Sequence, residues 1–554
     1  QYGDFLNYWI VSDLLQSLAL FWEHGDKKLL EQVGINAKDG RENSFAAVVA
    51  ADACWFGYLT GIRTLSELRD KIQERILTYR KYINLNLPNN QLPASVAESK
   101  SVVGDPIARV AEALRTSGVL DADVRVFIRI DQYEQLATLD DDGHQFGLLC
   151  QDVTHKALAS RDVRVSYRIG TRHYAWPEPP RIFGTRDALE NKRDYSIIDI
   201  DEKLRRKENA RTWIFPEFAL DIFQRRLAQT SYAASASNSR VLEHVFRSTL
   251  SPEQRAQLYV KNANTRRNFL QPRKGVTPEW RDFLEDIAAK DPLSAKFADA
   301  WSRQKDAKKQ SVISHVPEEG KYPWDTKLYW KKERTEQALL QIASANKQQL
   351  IWSGKEDVLG LSGGNILVFL FICQHIWEAW LRDTRGNNQI DATVLPQISE
   401  YVQSQGILEA SQEWLKKQPE GIDSMRRRRF LRTIGQYFYR RLTDDLPMSY
   451  PGRNGFSLNL EQLEEAPDVH LFLERCASHG DLYDAPHTSK HKGERRRKYY
   501  LAPILCPYFK IPYRHTKEPE YVRPEKILEW MESRESAQQI ESPQLEMFST
   551  DGII

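Results

Sequence analysis

No stretch of this chain reads G-x-x-x-x-G-K-[ST], the loop whose backbone N–H groups cradle nucleotide phosphates. Cysteine is sparse. Cys54, Cys150, Cys373, Cys476 and Cys506 are an odd number, far apart, with no C-x-x-C pair. That argues against a disulfide framework or a cysteine zinc site and fits a reducing, cytoplasmic location. The most apolar run, Ile366 to Ile372, is far shorter than the roughly 20 residues that span a bilayer. Gln374, His375 and Glu378 follow it, so it reads as a buried helix and no membrane partner is expected. There is no visible signal peptide, internal repeat, clustered D-x-E-x-K nuclease pattern or metal-ligand set.

What is present is ordinary in amount and uneven in distribution. Apolar residues make up 41% and charged residues 28% of 554, enough for several cores and three or four domains. The formal net charge of +2 says little, but basic clusters are dense in the C-terminal third.

From Phe5 to about Leu85 the apolar spacing is helical, as in Leu14, Leu18, Phe21 and Trp22. Leu87 to Asp105 reads as a loop. Val124 to Ile130 is a near-continuous apolar strand of the kind buried on both faces of a parallel sheet. A helix around Gly147 to Ser160 leads to a second strand, Val163 to Ile169. Ser196 to Ile200, SIIDI, reads as a third. This alternation predicts an α/β domain with a parallel sheet. From about Arg211 only helices are expected, among them Leu242 to Phe246, Trp280 to Ala288 and Thr335 to Ala343. Near residue 400 the texture changes. Helices at Gln412 to Lys417, Phe430 to Leu442 and Leu458 to Ser478 precede two strands, about Asp481 to Thr488 and Lys498 to Ile504, joined by SKHKGERRR. Three helices and a basic hairpin make a winged-helix pattern. The tail after about Pro519 reads as flexible.

The segment VRVFIRIDQYEQL, Val124 to Leu136, carries the most chemistry. An apolar strand ending in Asp131 is how the metal-binding (Walker B) strand of a P-loop NTPase reads. In open parallel sheets ligands gather at the carboxyl ends of strands. Asp131 and Thr171 both fall at that edge, and a carboxylate there holds Mg2+ directly or through water. The bland alternative is that Asp131 caps a strand in another α/β fold.

The order of segments resembles the origin-recognition-complex-like (ORC-type) AAA+ ATPases of bacteria and archaea. The resemblance rests on VFIRIDQYEQL, YRIGTRHYAW, RDYSIIDIDEKLRRKEN, LSGGNILVFLFICQHIW and KYYLAPILCPYFKIPYR, from about residue 120 to 515. It implies a fold of α/β plus α. An AAA+ parallel-sheet core would occupy 1–235, a helical lid 236–400, a DNA-binding winged helix 401–518 and a tail 519–554. It also implies ATP and Mg2+ as cofactors, and places the phosphate loop upstream of Gln1, where the chain opens in mid-helix without a methionine. Thr171 or Arg172 would fill the sensor 1 position. The residue after Asp131 is Gln132, where many AAA+ enzymes have a glutamate. Gln132 orients a water but takes no proton at neutral pH. Glu134 substitutes only if the chain bends after the strand. Ser362-Gly363-Gly364-Asn365 resembles the start of the lid helix, with Ile366 and Leu367 where a sensor 2 arginine would follow. Asn365 is either near the cofactor or an N-cap. Arg205 and Arg206, with Arg172 behind them, are candidates for an arginine that reaches a neighbouring subunit's phosphate. A solvated helix start is the alternative.

Two basic clusters complete the inventory. Arg426 to Arg429 open a helix, and consecutive residues fan around it, so Arg426 and Arg429 are the DNA-facing candidates. Lys490, Lys492, Arg495, Arg496, Arg497 and Lys498 crowd the wing with Glu494 as the sole anion. Such a tip repels itself unless phosphates lie nearby. Tyr499, Leu501, Ile504 and Phe509 read as structural. The expected function is an ATP-dependent DNA-binding switch or loader. Its partners would be double-stranded DNA and either further copies of itself or an effector protein in a bacterial defence or mobile-element system. The alternative is a non-hydrolysing scaffold with a degenerate NTPase core.

Overall fold

The computed structural model describes residues 1–37, 40–85, 92–137, 139, 146–172, 175–177, 179–205, 212–261, 269–271, 276–307, 316–384, 394–417, 423–488, 493–515 and 519–533. The chain divides into two compact units, Gln1–Ile198 and Asp199–Ile554. The division falls before the 235/236 boundary expected from sequence.

In the first unit, helices α1 (Tyr2–His24), α2 (Arg41–Ala51), α3 (Leu65–Asn84) and α4 (Asp105–Thr116) enclose a core. The buried stripe of α1 is Tyr8, Val11, Leu15 and Leu18, with Leu14 and Trp22 at its margin. A polar knot ties α1 to α3. Buried Asp4 accepts from Arg75 Nη2 at 2.8 Å, Tyr79 Oη at 2.6 Å and Ser101 N at 2.6 Å. Every oxygen of that carboxylate has a donor, which burial of a charge requires.

Strands β1 (Val126–Ile130) and β2 (Val165–Ile169) pair in parallel, Val126 opposite Val165 through Ile130 opposite Ile169. Helix α5 (Phe146–Leu158) makes the crossover. Ile128 and Ile130 pack with Ile10 and Ile107. The alternate residues Phe127 and Arg129 are exposed, with the Arg168 guanidinium 4.8 Å from the Phe127 ring centre. The strand expected to be buried on both faces is thus covered on one. The third strand, SIIDI, is also absent. Ile197, Ile198 and Ile200 are exposed, and Asp199 accepts from Glu202 N (2.8 Å) to cap helix α6 (Ile200–Leu204). A good N-cap overrides the β-propensity of three isoleucines.

The second unit continues through α7 (Phe215–Leu227), α8 (Pro252–Lys261), α9 (Leu328–Ala345), α10 (Lys355–Leu361), α11 (Ile366–Thr384) and α12 (Glu400–Lys417). The expected helices around Leu242, Trp280 and Thr335 are present, and the apolar run at Ile366 buries Val368, Phe369 and Ile372 in α11. Among the described residues no helix is long and apolar enough to cross a membrane.

Helix α13 (Ser424–Asp444) then leads to β3 (Gly455–Asn459), α14 (Leu460–Glu464), α15 (Pro467–Ser478) and the hairpin β4 (Leu482–Thr488) and β5 (Arg495–Leu501). The strand order is β4-β5-β3-β6, with β6 (Glu520–Tyr521) parallel to β3 and the other pairs antiparallel. Leu458 to Ser478, expected as one helix, is a strand end and two helices. Asn459 caps α14 through Glu461 N (2.8 Å), and Pro467 opens α15. In the tail expected to be flexible from 519, the described residues, 519–533, include a helix. Helix α16 (Pro524–Glu532) buries Ile527, Trp530 and Met531, and the Trp530 ring lies 5.1 Å from Tyr437 on α13. Apolar residues at i, i+3 and i+4 after a helix-starting proline explain the packing, which the polar composition of the whole tail concealed.

Candidate functional sites

At the end of β1 the chain turns at once. Gln132 takes a left-handed backbone (φ 56°), and its N–H donates to Asp131 Oδ1 at 2.9 Å. Tyr133 N–H donates to the Gly170 carbonyl (3.3 Å), and Gly170 N–H to the Ile130 carbonyl (2.8 Å). These bonds lace the two strand ends together and leave Asp131, Gln132, Thr171 and Arg172 exposed along one carboxyl edge. Gly170 lies against the carboxylate. A Cβ there would sit 3.2 Å from Asp131 Oδ1, closer than a side chain tolerates without displacement.

The turn supplies the bend that Glu134 needs, and Glu134 opens a short helix, Glu134–Ala137. Its Oε1 lies 3.6 Å from Arg172 Nε, so this carboxylate already has a cationic partner. The Thr171 hydroxyl donates to the Arg172 carbonyl at 3.3 Å. Asp131, Gln132, Glu134, Thr171 and Arg172 therefore do converge. Arg206 lies outside the described residues.

Two residues behind the edge carried no sequence signal. Tyr133 is buried, and its Oη lies 2.8 Å from His155 Nε2, while His155 Nδ1 lies 2.8 Å from the Arg181 carbonyl. A carbonyl only accepts, so Nδ1 carries the proton and Nε2 accepts from the phenol. Burial lowers the His155 pKa and raises that of Tyr133, so both stay neutral. Trp176 closes the cluster, 5.1 Å from the His155 ring. Nothing in the spacing of these three residues announces their contact. Gly170 was better advertised, as the glycine that follows a strand ending in polar residues.

Among the described residues no group of three His, Cys, Asp or Glu side chains is arranged to hold a metal. Mg2+ keeps several waters and commonly takes one or two carboxylates plus phosphate oxygens. An exposed Asp131 beside a glycine without a side chain fits an ion bound in that way.

Asn365, read from sequence as either near the cofactor or an N-cap, caps a helix. Its Oδ1 accepts from Leu367 N (2.9 Å) and Val368 N (3.2 Å) at the start of α11. Gly363 and Gly364 hold φ of 62° and 85°, and a Cβ on either would collide with Tyr483 or with the backbone of Leu204. Tyr483 Oη also donates to the Gly363 carbonyl (3.0 Å), and Arg205 lies 4.4 Å from the Tyr483 ring centre. The segment is a packed joint. Ser353 to Asp357, SGKED, is structural too. Ser353 N–H donates to Asp357, whose burial pushes its carboxyl up to about 6.

The basic clusters divide by exposure. In α13, Arg427 is buried and paired with buried Asp481, whereas Arg426 and Arg429 are exposed as expected. Lys490 and Lys492 lie outside the described residues, and Arg495 is exposed. Arg496, a DNA-contact candidate by sequence, is engaged within the protein. It is 7% exposed and donates to Ser457 Oγ (3.1 Å), Ser457 O (2.8 Å) and Glu494 (3.2 Å). Arg497 is engaged by Asp484 at 2.7 Å and lies 3.9 Å from Glu474. Lys498 is half-buried, 5.9 Å from the Tyr500 ring. Strand alternation is the reason. In a paired strand every second residue faces inward, and neighbouring strands supply carboxylates for the rest.

A family model described as ORC-CDC6-like matches residues 3–519. The chain belongs to the ORC-CDC6-like family. No curated protein matches it, and no solved structure does. The helix-rich architecture with a small parallel sheet is compatible with the AAA+ fold of an ORC-CDC6-like protein. An AAA+ ATPase-like function follows in general terms, as do ATP with Mg2+ as the typical cofactors.

Proposed function

We propose that this ORC-CDC6-like chain is an ATP-dependent DNA-binding switch or loader. Its first unit supplies part of an AAA+ core, and a winged helix runs from α13 through β5. The carrying observation is the laced carboxyl edge of β1 and β2, where Asp131 stands exposed against Gly170. In this reading Asp131 holds Mg2+ on ATP, Gln132 orients water, and Thr171 and Arg172 occupy the sensor 1 edge. Bound ATP with its metal supplies the phosphoryl group and its charge neutralisation. The order helix, strand, helix, helix, hairpin in 424–501 supports the winged helix, and exposed Arg426, Arg429 and Arg495 support contact with double-stranded DNA. Assembly into oligomers or with an effector protein, as in a bacterial defence system, belongs to the same proposal, with Arg205 or Arg206 reaching a neighbour's phosphate.

A slow or non-hydrolysing switch is favoured over a fast ATPase by two features. Gln132 replaces the usual acid, and Glu134 is held by Arg172. The test is Mg2+-dependent ATP binding and turnover by the protein expressed from its natural start codon, with and without duplex DNA. Saturable binding that Asp131→Ala weakens is expected. The absence of any nucleotide binding would leave a scaffold.

A further inference from the structure

Helix α13 carries more than the two arginines that the sequence singled out. At about 100° per residue, Arg426, Arg429, Arg432 and Arg440 fall within one sector of about 120°. All four are exposed. The opposite side holds buried Phe430, Leu431, Ile434 and Phe438. From Ser424 to Thr443 the helix has no acidic residue at all; its first is Asp444, at its end. Fourteen residues separate Arg426 from Arg440, so the stripe is about 21 Å long.

The helix that a winged-helix protein would insert into DNA has the opposite character. Glu461, Glu464, Glu465, Asp468 and Glu474 are exposed on α14 and α15 and the turn between them. The cations among them are already taken. Arg475 pairs with Asp423 (2.5 Å), and His470 faces Glu474 (3.2 Å). The major groove is about 12 Å wide and a helix with side chains about as broad. Carboxylates on an inserted helix would stand within a Debye length, about 8 Å at physiological salt, of phosphates on both strands. Among the described residues of the wing, Arg496 and Arg497 are committed to Ser457, Glu494 and Asp484, and Arg495 is exposed.

We infer that the second unit meets duplex DNA through the arginine face of α13, along the sugar–phosphate backbone, and that the acidic α14–α15 face stays out of the major groove. This rests on the DNA reading above and says which surface carries it. A stripe of about 21 Å faces on the order of a dozen phosphate charges, counting both strands. Contacts of this kind position the protein without reading bases. Binding is therefore steeply salt-dependent and indifferent to sequence.

The experiment is fluorescence anisotropy with the full chain and two short duplexes of unrelated sequence, at salt from about 50 to about 200 mM. Circular dichroism confirms that each variant is folded. The wild type is expected to bind both duplexes within about threefold of each other. Arg429→Glu with Arg432→Glu should weaken binding more than about tenfold and flatten the log–log salt slope by about 2. Glu465→Gln with Asp468→Asn should leave affinity unchanged or tighten it. The inference is overturned if the arginine variant keeps affinity and slope, if the acidic variant loses binding, or if the wild type prefers one duplex by more than about tenfold. Loss with Arg495→Ala alone would move the contact to the wing and leave the DNA reading standing. No binding of either duplex by the wild type would remove both.

Discussion

The two sheets of this protein treat their polar residues in opposite ways. At the carboxyl edge of β1 and β2, Asp131, Gln132, Thr171 and Arg172 stand exposed around a turn that costs backbone strain. Around β3, β4 and β5 several charges are engaged by partners within the protein, while Arg495 stays exposed. Arg427 meets Asp481, Arg496 grips Ser457, and Arg497 meets Asp484. An exposed, strained edge contributes little to stability and is where chemistry is to be sought. Inward charges hold neighbouring elements in place, and their number in the sequence overstates the basic surface left for a partner.

The sharpest way to break this comparison is in α13, where adjacent arginines belong to the two classes. Arg427→Ala would leave Asp481 buried without its cation and should cost about 3–5 kcal/mol in urea unfolding. Arg426→Ala, one position away and exposed, should stay within about 0.5 kcal/mol. Equal effects would mean that burial is not what separates them.

At the other sheet the expected loss is in activity. Asp131→Ala should lower Mg2+-dependent turnover on the order of 100-fold, equivalent to about 3 kcal/mol of transition-state stabilisation. The thermal midpoint should hold, because the side chain is exposed and no buried partner is orphaned. Unchanged turnover would remove Asp131 from the metal. Arg496→Ala should do the reverse. It should cost about 1–3 kcal/mol of stability through the lost charge-assisted hydrogen bonds to Ser457 and lost packing on Tyr521, whose ring lies 4.4 Å away. Its effect on DNA affinity should be small.

How far the sequence disclosed this arrangement follows from the same contrast. Strand β1, its terminal Asp131, the crossover helix and β2 were legible because a run of branched residues closed by a polar edge is a local pattern. The helix–hairpin order of the C-terminal region was legible for the same reason. What the sequence concealed depended on tertiary partners. Nothing local separates Arg427 from Arg426, or Arg496 from Arg495, because strand and helix phase decide which side chain meets a carboxylate distant in sequence. The strand expected at SIIDI failed where Asp199 offered a cap, and α16 was hidden in a polar tail. Tyr133 and His155 meet across 22 positions with no motif to mark them.

Acidity should act on the two units with opposite sign. Burial holds His155 neutral, below its ordinary pKa of about 6.5. The unfolded chain takes up that proton first, so His155 stabilises above about pH 6.5 and the contribution fades as pH falls, by at most about 1.4 kcal/mol per pH unit. Burial raises Asp357 and Asp481 to about 6. The folded state protonates first there, and their contribution is lost as pH rises through about 6. His155→Gln should therefore shift the pH of maximum thermal stability toward acid. A profile that keeps its shape would show that His155 does not titrate on unfolding.

The smallest effect tests whether the turn is strained for a purpose. A non-glycine residue at φ 56° costs about 1–2 kcal/mol, and glycine would remove that cost while adding about 0.5–1 kcal/mol of unfolded-state entropy. Gln132→Gly should therefore stabilise the fold by no more than about 1 kcal/mol. It also removes the carboxamide proposed to orient water, so any turnover should fall while nucleotide affinity holds. A variant that is both more stable and equally active would leave Gln132 as a turn residue only. A variant that loses nucleotide binding would place the Gln132 carboxamide itself in the nucleotide site, because glycine keeps the left-handed turn and the N–H bonded to Asp131 Oδ1.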